Sequence, residues 1–179
     1  MDLRIVKTKK AIRVAFLALR REYALDQVKV KDLCDRAIIN KTTFYKHYDD
    51  IYALEKELEE EAINNVMKAF SEKTELFIHP QQFIRGLPAA LEENRWMLEP
   101  LFHHQLDHFF SLLEKKLIDC YQVAKGDDSQ NILLTFAIGG TLHTLRAMKY
   151  EFNLDDELLS HEVSQIIEKL GNHRQGSLV

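Results

Sequence analysis

The chain has 179 residues, 46% of them apolar, with six glycines and three prolines, where the two residues together usually make up about 12% of a chain. That shortage disfavours turn-rich β-sandwiches, collagen-like chains and disordered linkers, and no apolar run approaches the roughly 18 residues of a membrane span. The formal net charge of −4 conceals two unlike parts, a balance of +7 over residues 1–48 and of −11 over residues 49–179, so a polyanion is expected to meet the head and not the body.

Met1-Asp2-Leu3-Arg4 leads into lysines instead of an apolar segment, so no secretory signal is expected. Cys34 and Cys120 are too few for a disulfide framework or a four-cysteine zinc site. A reducing, cytoplasmic setting follows as the expectation.

Helical spacing dominates, and the length suits one or two small domains. A first helix is predicted from near Thr8, with Ile12, Ala15, Phe16, Leu19 and Tyr23 on one face. Two short helices follow, over residues 30–37 and 41–47. The Asp49-Asp50 pair then caps a long helix whose Ile51, Leu54, Leu58, Ala62, Val66 and Phe70 recur every three or four residues. Glu55, Glu57, Glu59, Glu60 and Glu61 read as the solvated side of that helix. Pro80 suits the first turn of another helix, and Pro88 and Pro100 predict short or kinked helices over residues 80–105. Phe109, Phe110, Leu113, Leu117, Cys120 and Tyr121 make one amphipathic stretch, broken at residues 125–128. The segment 129–150 is apolar almost all round, through Leu133, Leu134, Phe136, Ile138, Leu142, Leu145 and Met148, and predicts burial on most faces. Asp155 and Asp156 open a last helix with Leu159, Val163, Ile166, Ile167 and Leu170 facing inward.

The informative segment is residues 29–54. Val30, Leu33 and Cys34 form the inner face of a short helix, Ala37 is small where helices cross, and Ile39 plugs the turn. Asn40 is a good N-cap for the next helix. Phe44 and Tyr48, four apart, pack inward. The other side of that helix shows Lys41, Thr42, Thr43, Lys46 and His47. A short helix with a basic, hydroxyl-rich outer face has what a major-groove reader needs.

Over Thr8–Tyr23 and Val30–Leu54 the chain resembles the tetracycline-repressor family of bacterial transcriptional regulators. The run Ile39-Asn40-Lys41-Thr42-Thr43-Phe44-Tyr45-Lys46-His47-Tyr48 is similar to that family's recognition-helix signature, in the form written by regulators that resemble dihydroxyacetone-kinase operon activators. The resemblance implies an all-α protein, with a three-helix helix-turn-helix DNA-binding domain over residues 1–50 and a helical effector-binding and dimerisation domain over 51–179. It also implies a homodimer on a palindromic double-stranded DNA operator. A small-molecule effector or protein partner would change its DNA affinity. The DNA-contacting residues carried over are Asn40, Lys41, Thr42, Thr43, Tyr45, Lys46 and His47, with Tyr45 and His47 at positions that contact phosphates.

The chain departs from the family at four places. Lys29 replaces a threonine cap, Ile38 the turn glycine, Thr42 a small residue, and Ile51 a lysine that would touch phosphate. A β-branched residue is poor at positive φ, so the turn at Ile38 is expected to differ.

In the body, Trp96, Phe102, Phe109, Phe136 and His143 are candidates to wall an effector cavity. His103, His104, Asp107 and His108 have a spacing that suits a divalent metal, which keeps a metal-responsive regulator open as an alternative. A helical interaction module that does not bind DNA is another. Gly139-Gly140, inside a strong helix, suggests close approach of a second helix, within the body or across a dimer axis. No glycine-rich phosphate loop, G-x-S-x-G elbow or zinc-protease motif is present. Neither enzymatic activity nor a cofactor nor membrane association is expected.

Overall fold

A computed structural model describes residues 3–68, 80–103, 105–121, 128–148 and 152–172. The protein is all-helical. Its described helices are α1 (Leu3–Arg20), α2 (Val30–Ala37), α3 (Lys41–Tyr45), α4 (Ile51–Lys68), α5 (Pro80–Glu93), α6 (Arg95–Phe102), α7 (Leu106–Tyr121), α8 (Asp128–Arg146) and α9 (Asp156–Asn172), with one 3-10 turn at Leu25–Gln27. By packing they fall into two units, Met1–Asn64 with Asn94–Leu106, and Asn65–Glu93 with Asp107–Val179. The expected boundary after residue 50 lies inside the first unit. No helix among the described residues is long and apolar enough to cross a membrane.

The first unit is built on side chains fully withdrawn from water: Ile12 and Phe16 of α1, Leu33 of α2, Phe44 of α3, and Leu54 and Leu58 of α4. Each contributes about 1.5–3 kcal/mol on burial. α1 packs on α2 and on α6, and α2 packs on α3. α1 starts five residues earlier than Thr8, whose hydroxyl donates to the Arg4 carbonyl at 2.9 Å from within the helix. Such back-bonding satisfies threonine without a cap. Tyr23 lies beyond the end of α1 and is exposed, not on its inner face. Val30, Ala37 and Ile39 are half-buried. Asp50 caps α4 as expected, accepting from the Ala53 N–H at 2.7 Å.

The acidic run of α4 is not simply a solvated face. Glu55 pairs with Arg20 at 3.1 Å, Glu57 with Lys9 at 3.0 Å, and Glu61 with Arg13. Arg20 and Glu55 keep only 7% and 10% of their side-chain surface exposed, and Arg20 also donates to the carbonyls of Tyr23 and Leu101. A buried pair of this kind is costly to break from one side, by about 3–5 kcal/mol. These carboxylates fix α1 on α4.

In the second unit, Pro80 opens α5, where its missing N–H matters least. Pro88 lies within α5, which runs 14 residues and is not the short helix expected, whereas Pro100 lies within the eight-residue α6 of the first unit. α5 packs on α9, and α9 on α8. Phe109, Phe110, Leu113 and Leu117 make the buried face of α7, while Cys120 is exposed. Asp155 caps α9 by accepting from Glu157 and Leu158. Leu159, Val163 and Ile167 face inward as expected, but Ile166 is exposed. The side chains of Tyr121 and Leu170, with Phe70 and residues 125–127, lie outside the described residues.

α8 departs from the expectation of burial on most faces. Leu134, Ala137, Ile138, Leu142 and Leu145 are buried, whereas Ile132 is 71% and Phe136 65% exposed. Among the described residues, the exposed side chains of α8 fall on one side of the helix and the buried ones on the other. The two glycines separate accordingly. A Cβ at Gly139 would stand 2.8 Å from Glu114 Oε1, while at Gly140 it would meet nothing within 4 Å.

Candidate nucleic-acid interface

α2 ends at Ala37, and the turn to α3 is closed by two backbone hydrogen bonds, Ile39 N–H to the Cys34 carbonyl at 3.0 Å and Ile38 N–H to Asp35 at 3.3 Å. This is a Schellman closure, which requires a left-handed residue at its penultimate position. Ile38 supplies it, with φ 56° and ψ 47°. The expected difference at this turn is therefore absent from the backbone. The chain adopts the glycine-like conformation with a β-branched residue, in a turn closed by those two backbone hydrogen bonds. The Ile38 side chain itself is 92% exposed. Lys29 occupies the N-cap of α2 without a side-chain hydrogen bond, as its residue type dictates.

Asn40 caps α3. Its Oδ1 accepts from the Thr43 N–H at 2.7 Å and from the Thr43 hydroxyl at 2.8 Å. Beneath the helix, Phe44 is fully buried and Tyr48 is 5% exposed, their rings 5.8 Å apart. With those anchors turned in, the outward set follows from helical spacing. Lys41, Thr42, Tyr45 and Lys46 are exposed, and Thr43 and His47 are half-buried. The Tyr45 ring stands 5.4 Å edge-on from Phe44 and is 53% exposed. The seven expected residues thus lie on one five-residue helix and its flanks, with Asn40 and the Thr43 hydroxyl already engaged in the cap.

The electrostatics differ from what the +7 balance of residues 1–48 suggests. Lys9, Arg13 and Arg20 are answered by carboxylates of α4, and Arg36 pairs with Glu22 at 2.9 Å. Among the described residues no ion pair involves Lys41 or Lys46. The Tyr48 hydroxyl donates to Glu57 Oε1 at 2.9 Å, and Lys9 Nζ stands 5.1 Å from the Tyr48 ring centre. Burial, followed by the hydrogen bond to Glu57, raises the Tyr48 pKa far above that of free tyrosine. Burial opposes ionisation of Glu57, but hydrogen bonds from Lys9 and Tyr48 and the charges of Lys9 and Arg13 outweigh it and hold the carboxyl below its ordinary value. Burial, with Asp35 next in weight, pushes the Cys34 thiol up despite Lys41. Sequence reading missed this network, although Lys9 and Arg13 share the four-residue spacing of Glu57 and Glu61, a usable signal for paired helix faces.

Of the candidate effector residues, Trp96 and Phe102 belong to the first unit and Phe109, Phe136 and His143 to the second. Phe102 and Phe109 are buried, while Trp96, Phe136 and His143 are exposed. Of the candidate metal ligands, His104 lies outside the described residues, His103 and His108 are exposed, and Asp107 is engaged by Arg146. No three His, Cys, Asp or Glu side chains among the described residues are grouped to hold a metal ion. No family model, curated protein or solved structure matches the chain.

Proposed function

We propose that the chain is a sequence-specific DNA-binding regulator of transcription, acting as a homodimer on a palindromic duplex, with an effector bound by the body changing its DNA affinity. The observation that carries this reading is the Asn40-capped α3, anchored by buried Phe44 and Tyr48, with Lys41, Thr42, Tyr45 and Lys46 turned outward. Lysines supply phosphate neutralisation, and a threonine offers a hydroxyl and a methyl to base edges. The resemblance of residues 39–48 to the tetracycline-repressor signature supports the same conclusion.

Dimerisation is supported by the uncovered face of α8. Ile132, Phe136, Gly140 and His143 follow at helical spacing on its exposed side, and α9 adds exposed Leu158 and Ile166. A second copy, related by a two-fold axis, buries such a self-complementary stripe. Two reader helices then address half-sites about 34–36 Å apart or a multiple of it.

The test is selection of duplexes from a random pool by the full-length protein. A palindromic consensus is expected, with affinity falling by about 0.9 log units per log unit of salt for each phosphate neutralised. Recovery of no preferred sequence overturns the reading.

A further inference from the structure

The outward face of α3 is only as well placed as the anchors beneath it. With five residues, the helix is too short to be held by its own hydrogen bonds. Asn40 fixes its start and Phe44 its middle. Beyond its last turn stands Tyr48, whose hydroxyl donates to Glu57 Oε1 at 2.9 Å. Lys9 Nζ donates to both Glu57 oxygens, at 3.3 and 3.0 Å, from beside the Tyr48 ring. Residues from α1, from α4 and from the segment that follows α3 therefore meet at one carboxylate.

We infer that Lys9, Tyr48 and Glu57 are positioning residues that set the tilt of α3 on its DNA site, an inference that rests on the DNA-binding reading above. Base edges accept partners only in narrow geometry, whereas lysines on flexible stems follow a phosphate through a change of tilt. Hydrogen bonds to an ionised carboxylate are short and strong, so the Glu57 cluster restrains rotation of α3 about Phe44. Loosening it lowers discrimination between sequences and spares non-specific binding. The Arg13–Glu61 pair joins the same two helices one turn further on. Arg13 acts on Glu57 through its charge and not through a hydrogen bond, so it serves as the comparison that separates the hydrogen-bonded contact from charge and from the general hold of α1 on α4.

The experiment uses full-length protein, a duplex selected from a random pool by the wild type, and a scrambled duplex of equal length. Both affinities are followed by fluorescence anisotropy over a range of salt, with thermal unfolding of the same samples. Tyr48→Phe and Lys9→Gln are each expected to lower the selected-to-scrambled affinity ratio about tenfold, the effect of losing a charge-assisted hydrogen bond. Scrambled-duplex affinity and salt slope stay unchanged, and Arg13→Gln leaves the ratio within about twofold. Lys9 is 38% exposed, so its variant folds even where Tyr48→Phe does not. An unchanged ratio in Lys9→Gln, against a wild type that prefers its selected site, overturns the positioning role alone. So does an equal fall in Arg13→Gln, which signals general loosening of α1 on α4, or a salt slope about 0.9 shallower in Lys9→Gln, which makes Lys9 a phosphate contact. A wild type without a preferred duplex overturns the DNA reading and this role with it.

Discussion

Replacing Ile38 with glycine is expected to stabilise the first unit. Ile38 holds φ 56° and ψ 47°, a conformation that costs an L-residue about 1–2 kcal/mol because Cβ crowds the following carbonyl. Glycine removes that strain but loses more chain entropy on folding, about 0.5–1 kcal/mol. Burial contributes almost nothing to the balance, since the side chain is 92% exposed. The hydrogen bonds that close α2 come from the backbone of Ile38 and Ile39 and survive the change. The net gain is about 0.5–1 kcal/mol.

Urea unfolding followed by far-ultraviolet circular dichroism measures this directly, as a higher midpoint at unchanged slope. Ile38→Val, which keeps the branched Cβ, serves as the comparison and should match the wild type. A glycine variant less stable than the wild type, or a valine variant that gains as much as glycine, would show that strain at this turn is not what limits it.

Asn40→Ala removes the acceptor shared by the Thr43 N–H and hydroxyl and should destabilise the unit by about 1 kcal/mol, with Asn40→Ser recovering most of it; the urea midpoints of the three proteins decide. The depressed pKa of Glu57 means that its stabilisation is complete above the ordinary carboxylate value of 4.5 and is lost as pH falls through the lower folded value. Glu57→Gln should therefore show a weaker fall in urea midpoint between neutral pH and the acid range, and a wild-type-like fall would refute the assignment. Phe136→Glu places a charge on the uncovered face of α8, where the side chain is 65% exposed. It should leave the helical circular dichroism unchanged while shifting sedimentation from dimer to monomer, and a variant that remains dimeric at micromolar concentration would exclude this face from the interface.

The amino-acid order by itself determined the local elements. The positions of α2 and the start of α3, the Asn40 and Asp50 caps, Pro80 at the head of α5 and Asp155 before α9 follow from side chains acting within a few residues of their own backbone. So does the division of α3 into buried Phe44 and Tyr48 and an outward polar set, because helical spacing fixes which residues share a face. Other features depended on what stands opposite. Glu55, Glu57 and Glu61 look like ordinary solvated acids until α1 brings Arg20, Lys9 and Arg13 against them, and a charge's partner across helices is not a local property. Ile38 reaches a left-handed conformation that its own preference opposes because closing α2 and seating α3 outweigh it. The apolar pattern of α8 predicts that its surface is covered without naming the cover. Only the fold separates Leu142 and Ile138, buried by helices of the same chain, from Phe136 and Ile132, which those helices leave in water.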